Sequence, residues 1–331
     1  MRTVITGSIA TDHLMHFPGR FTEQLVPEKL DHVSLSFLVD ELHIRRGGVA
    51  ANIAFGLGSL GLRPVLVGAV GRDFDEYADR LARHGVDIGS VHVSQSRHTA
   101  RFQCTTDDDG NQIASFYAGA MNEAATIDVS AVAERAGDIG LVLIGANDPE
   151  AMLRHTRDCR AVGLPFAADP SQQLARLDGD AIRELVTGAD HLFSNEYEST
   201  LLLHKTGWTA ADVLARVGTW VTTLGSKGCR LQRQGEPPVE VAAVPVAEPR
   251  DPTGVGDGFR AGFLAAVAWG LTPTRAAQLG CAVAASVLCA VGAQEYRLRH
   301  DELLSLCGSA YGPETALELA HCLGGTGGGA L

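Results

Sequence analysis

Short apolar runs rich in Val and Ile recur along the chain, at residues 65–70, 139–144, 165–168 and 191–193, each followed by Gly, Asn or Asp and then a stretch of helical periodicity. Consecutive apolar positions suit strands covered on both faces, whereas half-exposed strands alternate polar with apolar. Strands of this kind in turn with helices predict an α/β fold, a mostly parallel central sheet with helices on both faces. The N-terminal run from Val4 to Ala10 reads as its first strand. Ligands of such sheets bind beyond the carboxyl ends of the strands. The polar residues expected there are Ser8 and Asp12, Asn147 and Asp148, residues 169–173, and residues 195–198. These four clusters are expected to converge on one crevice.

Two segments break that rhythm and read as antiparallel strands: residues 35–46, and a hairpin of 100–106 with 112–117 turned at Asp108-Asp-Gly-Asn111. Together they predict a small separate β-sheet, a lid made of discontinuous segments near 13–46 and 98–119 that excludes water from the crevice on closing. An extension of the sheet edge or a dimer contact is the alternative. Residues 219–244 are again β-rich, with the turn Gly225-Ser-Lys-Gly228 and a break at Gly235-Glu-Pro-Pro238. The stretch 279–292, mostly Ala, Val, Cys and Leu, is too short to span a bilayer and reads as a buried helix. One domain over residues 1–322 accounts for all of this. Residues 323–331, closing on Gly324-Gly-Thr-Gly-Gly-Gly329, are expected to be a flexible tail.

Composition narrows the function. The chain has 331 residues, 45% hydrophobic and 20% charged, enough for a substantial core and far from a disordered composition. Its formal net charge is −12 and no run of Lys or Arg occurs, so neither nucleic acid nor an acidic membrane surface is an expected partner. Seven scattered cysteines, with no Cys-x-x-Cys and no zinc spacing, point to a reduced, cytoplasmic setting. No signal peptide is visible at the N-terminus. The twelve histidines form no catalytic constellation, and the pair His13 and His16 is left unassigned.

The chemistry concentrates in Asp251-Pro-Thr-Gly-Val-Gly-Asp257-Gly-Phe-Arg-Ala-Gly-Phe263, where glycines and a carboxylate stand at the start of a long small-residue helix. Unpaired N–H groups at a helix start attract anions, so Gly254, Val255 and Gly256 are candidate donors to a charged oxygen. Asp257 is then either a cap for its own helix or a base beside the bound anion. No Gly-x-x-x-x-Gly-Lys-Ser/Thr loop and no Gly-x-Gly-x-x-Gly after the first strand offers another phosphate site. A second glycine group, Arg46-Gly-Gly-Val-Ala-Ala-Asn52, opens another helix, and the Asn52 amide can both donate to and accept from a hydroxyl.

These two groups, with Gly7-Ser8 and Asp12 and with Asn195-Glu-Tyr-Glu198, occur in the order found in the ribokinase-like (PfkB) family of sugar and nucleoside kinases, which the chain resembles over nearly its whole length. Within the family it is most similar to adenosine kinases of actinobacterial type, through Val4-Ile-Thr-Gly-Ser-Ile-Ala-Thr-Asp-His-Leu14, Thr99-Ala-Arg-Phe102, Ile113-Ala-Ser-Phe116 and Ala168-Asp-Pro-Ser-Gln-Gln-Leu-Ala-Arg176. One departure is Gly258, where the family commonly has Ala. It weakens helix propensity by about 1 kcal/mol at most and leaves the carboxylate in place.

The resemblance implies ATP-dependent phosphorylation of the adenosine 5′-hydroxyl, a purine-salvage reaction, with Asp257 as base and Gly254, Val255 and Gly256 as anion hole. It assigns Ser8, Asp12, Gly48 and Asn52 to the ribose, a carboxylate being a strong acceptor for a vicinal diol. Phe102 and Phe116 are assigned to the purine faces, and Gln172 and Gln173 to its ring nitrogens. ATP is expected along Asn195, Thr223, Gly225 and Gly228 toward Gly256, with Lys227 and Arg176 as weaker candidates for charge neutralisation. Mg²⁺ is expected to be oriented by Glu198 through water. A monovalent cation such as K⁺ is left open, and a homodimer through the lid sheet is implied. Two alternatives stand beside this reading: a ribokinase- or fructokinase-like sugar kinase, and a nucleoside-binding protein that has lost turnover.

Overall fold

A computed structural model of the chain describes residues 1–25 and 36–324. Its main sheet has eight strands in the order β14-β13-β12-β11-β10-β9-β1-β4. These are β1 (Arg2–Thr6), β4 (Val65–Val67), β9 (Ile139–Ile144), β10 (Phe166–Ala168), β11 (His191–Asn195), β12 (Thr219–Thr223), β13 (Cys229–Gln232) and β14 (Val239–Val241). The strands from β4 to β12 pair in parallel, and β13 and β14 add an antiparallel edge. Side chains of successive residues point to opposite faces, so each apolar run feeds two cores. Ile5, Leu141, Leu143, Ala167, Phe193 and Val221 enter one, while Val4, Val142, Ile144, Phe166, Leu192 and Trp220 enter the other.

The helices are α1 (Phe21–Gln24), α2 (Val49–Ser59), α3 (Asp75–Arg83), α4 (Val129–Ala136), α5 (Pro149–Ala161), α6 (Gly179–Val186), α7 (Glu196–Thr206), α8 (Ala210–Leu214), α9 (Val255–Ala268), α10 (Pro273–Leu288), α11 (His300–Tyr311) and α12 (Pro313–Gly324). Helices α2, α3 and α9 to α12 supply the first core, and α4 to α8 the second. The α/β architecture expected from the alternation of runs, a mostly parallel sheet with helices on both faces, is therefore present. Among the described residues no helix is long and apolar enough to cross a membrane.

A separate four-stranded sheet has the order β3-β2-β7-β8, with β2 (Ala10–Phe17), β3 (Glu41–Gly47), β7 (Ala100–Asp107) and β8 (Gln112–Tyr117). The hairpin turns at Asp108-Asp-Gly-Asn111 as expected, and the Asp107 carboxylate accepts the N–H groups of Asp109 and Asn111 at 3.0 and 2.8 Å. Asp73 ties this sheet to the body by accepting the Thr99 N–H and hydroxyl at 2.9 and 2.8 Å and pairing with Arg101 at 2.5 Å. Burial opposes ionisation there, yet these bonds draw the Asp73 carboxyl down to about 2.

The structure corrects several boundaries. The run from Val4 to Ala10 is two strands, because Ser8 leaves the β1 ladder and β2 starts the second sheet at Ala10. The run 65–70 also divides: its partner β1 ends at Thr6, opposite Val67, and β5 (Ala69–Val70) turns away to pair with β6 (His92–Val93). The strand expected over 35–46 is β3, beginning at Glu41, and Leu35 lies outside the described residues. The buried helix expected over 279–292 is α10, which begins at Pro273 with Thr272 as its cap and ends at Leu288. Leu323 and Gly324, expected in the tail, belong to α12, and the rest of the tail lies outside the described residues.

Gly48 fixes the join between the two sheets. It adopts a φ of 94°, and a Cβ there would lie 2.6 Å from both the Ala10 N and the Ser8 O. Gly48→Ala is expected to lower stability by about 3 kcal/mol, combining backbone strain with overpacking, as read from urea unfolding midpoints at constant slope.

Candidate active site

Helix α9 is capped at its start by Gly254, a left-handed residue with φ 77° whose added Cβ would meet Ala293 Cβ at 2.5 Å. The turn before it is held by Asp251, which accepts the Thr253 N–H at 2.9 Å and the Gly292 N–H at 2.8 Å. The Val255 N–H points back to the Pro252 carbonyl at 3.3 Å. That is a correction: Val255 is not a free donor. The N–H groups of Gly254, Gly256 and Asp257 meet no protein acceptor among the described residues, and they stand at the positive end of a 14-residue helix. An anion fits there.

Asp257, in the first turn, is partly buried, and its Oδ2 accepts the Asn52 amide at 2.8 Å. Its carboxylate caps no N–H of its own helix, so the cap reading of Asp257 does not hold. Burial raises its carboxyl to about 6, against the pull of Asn52 and of the Arg260 guanidinium, while Asp169 and Asp12 push it the same way as burial. A carboxylate that titrates there is ionised at neutral pH and basic enough to take a proton.

Asn52 sits in α2 at 6% exposure. Its Oδ1 accepts the Gln294 amide at 2.8 Å, and Gln294 in turn donates to the Tyr77 hydroxyl at 2.5 Å, which donates to the Gly47 carbonyl at 2.9 Å. This chain spans the starts of α2 and α3 and the loop after α10, and fixes the amide that orients Asp257. Sequence assigned Asn52 to a hydroxyl, whereas both ends of its amide are engaged within the protein. Ser8 likewise uses its Oγ to accept the Val49 N–H at 3.0 Å, capping α2. No sequence signal marked Gln294 or Tyr77.

The second sheet presents one face to this centre. Asp12 on β2 pairs laterally with Arg45 on β3 and Phe102 on β7, and Phe102 with Phe116 on β8. Directly opposed residues share a face, so the carboxylate and both rings lie on the same side. Burial raises the Asp12 carboxyl, against Arg45. Phe116 is 52% exposed, an open apolar surface beside a polar centre.

The four strand-end clusters lie at adjacent strand ends, in the order β11, β10, β9, β1. Asp148 caps α5 through the N–H groups of Glu150 and Ala151. Gln173 is buried with its Oε1 unpartnered, while Gln172 is exposed and receives the Ser171 hydroxyl at 2.6 Å. Asn195 and Glu198 form a capping box at the start of α7, each side chain accepting the other's backbone N–H at 2.8 Å. Glu198 keeps its other oxygen toward the Ser171 hydroxyl at 3.5 Å. Burial raises its carboxyl, partly offset by the Asn195 N–H and by Arg260. Thr223 pairs with Asn195 across β11 and β12, and the Gly225–Lys227 turn follows, where a Cβ on Gly225 would meet nothing within 4 Å. Arg176 and Lys227 are exposed.

Two features lay beyond the sequence reading. Asp169, at the end of β10, and Arg260, on α9, form a buried ion pair, and a cavity of about 850 Å³ lies behind the Asp251 turn, lined in part by Arg250, Ser286, Cys289 and Val291. None of the residues expected to hold the nucleotide lines that cavity. Among the described residues no group of His, Cys, Asp and Glu is placed to cage a metal.

A helix start with unpaired N–H groups, a carboxylate beside it and a sheet facing both stand at the carboxyl edge of a parallel sheet, and the fold is ribokinase-like. The chain belongs to the PfkB family of carbohydrate kinases, whose family model matches residues 10–299, and is a nucleoside or sugar kinase. It is similar to the nucleoside kinase of Burkholderia thailandensis solved in complex with inosine, with a TM-score of 0.81 and 33% identity, covering 94% of this chain and 98% of that one. It is also similar to the nucleoside kinases of Methanocaldococcus jannaschii and Methanothermobacter thermautotrophicus, each 29% identical, over 81% and 85% of this chain and 87% of each relative. Ribokinase-family enzymes use ATP, typically with Mg²⁺.

The raised Asp257 carboxyl carries a signed consequence. Its folded value lies above the unfolded one, so the stability it contributes is full below about 4 and is lost as pH rises through about 6. Asp257→Asn is therefore expected to raise Tm at pH 8, by up to about 3 kcal/mol of stability, and to leave it unchanged near pH 4. Thermal unfolding at both pH values checks this.

Proposed function

We propose that the chain is a nucleoside kinase that transfers the γ-phosphoryl group of ATP to the 5′-hydroxyl of adenosine, giving AMP and ADP. The observation that carries the reading is Asp257 itself: a carboxylate raised to about 6, oriented by Asn52 and adjoining the free N–H groups of Gly254 and Gly256. Asp257 takes the proton of the hydroxyl as its oxygen attacks phosphorus in line. The N–H groups of Gly254, Gly256 and Asp257 hold charge that develops on the phosphoryl oxygens. Asp12 accepts ribose hydroxyls, and Phe102 and Phe116 cover the base as the second sheet closes as a lid. Asn195, Thr223, Gly225 and Gly228 line the nucleotide's path.

The donor set suits a metal carried on the nucleotide, since Glu198 has one oxygen clear of its capping bond and magnesium keeps much of its water. Bound in that way, Mg²⁺ supplies charge neutralisation on the phosphates. The inosine and ADP-inosine complexes of the Burkholderia thailandensis enzyme support a nucleoside acceptor beside a nucleotide site. A free sugar has no use for the exposed Phe116 ring, which speaks against the sugar-kinase alternative.

An acceptor panel of adenosine, inosine, cytidine and ribose, with ATP and Mg²⁺ and ADP formation as readout, tests the proposal. Adenosine is expected to give the highest kcat/KM, and a ribose preference would sink it. Asp257→Asn is expected to reduce kcat by about 10² or more with adenosine affinity nearly intact. Asp12→Ala should act mainly on the adenosine KM.

The opposite face of the lid sheet carries Leu42, Ile44 and Ile113 at 54%, 59% and 49% exposure. An apolar row of that kind on a solvent-facing sheet supports a homodimer closed through the lid. Sedimentation should give a dimer at micromolar concentration, shifted toward monomer by the double substitution Leu42→Ser and Ile44→Ser.

A further inference from the structure

Arg260 is the buried charge that the mechanism above does not use. At the residue level it is 6% exposed, and Asp169 is fully buried. Its Nη2 donates to Asp169 Oδ1 at 2.7 Å, its Nε lies 2.5 Å from Oδ2, and its guanidinium stacks over the Phe193 ring at 5.7 Å. The hydrogen bond to Oδ1 and the close charge contact with Oδ2 together restrict the orientation of the guanidinium. The remaining nitrogen, Nη1, donates to the Gly256 carbonyl at 3.0 Å, and a Cβ on Gly256 would sit 3.0 Å from it.

The peptide joining Gly256 to Asp257 is planar and trans, so its C=O and N–H point in opposite directions. Fixing the Gly256 carbonyl therefore fixes the Asp257 N–H, one of the free donors of the anion hole. We propose that Arg260, gripped by Asp169, is the positioning residue of the phosphoryl-transfer site, setting the Gly256–Asp257 peptide and anchoring the start of α9 to the carboxyl end of β10. It rests on the reading of Asp257 as the base. Asp169 reaches across from a different strand end, so the pair locks helix and sheet into one register where a displacement of an ångström would cost turnover.

The same geometry sets the field on Asp257. That carboxylate faces Arg260 on its own helix, Asp169 beyond β10, Asp12 on β2, the Tyr296 hydroxyl in the loop after α10 and the Asn52 amide on α2, while Glu198 on α7 faces Arg260 and Asp169. Arg260 lowers the Asp257 carboxyl and Asp169 raises it, the arginine more strongly. Substituting the two partners therefore moves Asp257 in opposite directions.

The test reads the Asp257 midpoint by carboxyl carbon-13 NMR in the ligand-free protein, alongside the acid limb of kcat/KM, with circular dichroism confirming the fold of each variant. Arg260→Gln is expected to raise the midpoint and the acid limb and to lower kcat about 10-fold or more with little change in nucleoside KM. Asp169→Asn is expected to lower the midpoint, and Arg260→Lys to keep it near wild type while failing to restore kcat. Midpoints that move together or stay fixed in folded variants overturn the proposal, as does an Arg260→Lys enzyme of full activity. Should Arg260→Gln not fold, Asp169→Asn and Arg260→Lys decide by the same criteria. Failure of the wild type to form ADP with any nucleoside would sink the reading of the base instead, and the NMR midpoints distinguish the two.

Discussion

A carboxylate withdrawn from water at the positive end of a helix is the constraint around which this protein is arranged. Burial, Asp169 and Asp12 raise the Asp257 carboxyl while Asn52 and Arg260 draw it down, with a balance near 6. Each contributor arrives on a different element: α2, β2, the end of β10 and α9 itself. The electrostatics therefore hold only while the two sheets and two helices keep their register. The Gly48 join, the Asp251 turn and the Asp169–Arg260 pair are the means by which they do so.

The motifs that carry chemistry also carry structure. Ser8 caps α2, Asn52 is fixed between Gln294 and Asp257, and Asn195 and Glu198 close a capping box on each other. Such double employment is economical at strand-to-helix junctions, where orphan N–H groups must be satisfied next to any bound ligand. It also means that substituting these residues disturbs position before it disturbs contact. The carboxylate of Asp257 is the exception, because it satisfies no backbone group of its own helix.

The second sheet shows how one face gains its purpose from its partner elements. Lateral pairing places Asp12, Phe102 and Phe116 in a single row although they come from three strands. A shift of one residue in any pairing would turn that strand's member to solvent. The β7 end of this row is tied to the body by Asp73, whose bonds to Thr99 and Arg101 join the sheet to the turn preceding α3.

Local sequence determined a good deal. Apolar runs bounded by Gly, Asn and Asp marked most strands of the main sheet, Asp108-Asp-Gly-Asn111 marked the hairpin, and the glycines around Asp257 marked a helix start, because strand burial, tight turns and helix ends are each written in a few adjacent residues. Boundaries were less legible: the split at Gly68 depends on where the neighbouring β1 ends, and the break after Thr6 on where Ser8 finds a helix to cap. The ion pair of Asp169 with Arg260, and the relay from Gly47 through Tyr77 and Gln294 to Asn52, were invisible, since their members lie 91, 30, 217 and 242 residues apart in turn. Residues so distant meet only when packing brings their elements together, so the chain alone marked Asp257 while the fold set its charge, its orientation and the free N–H donors beside it.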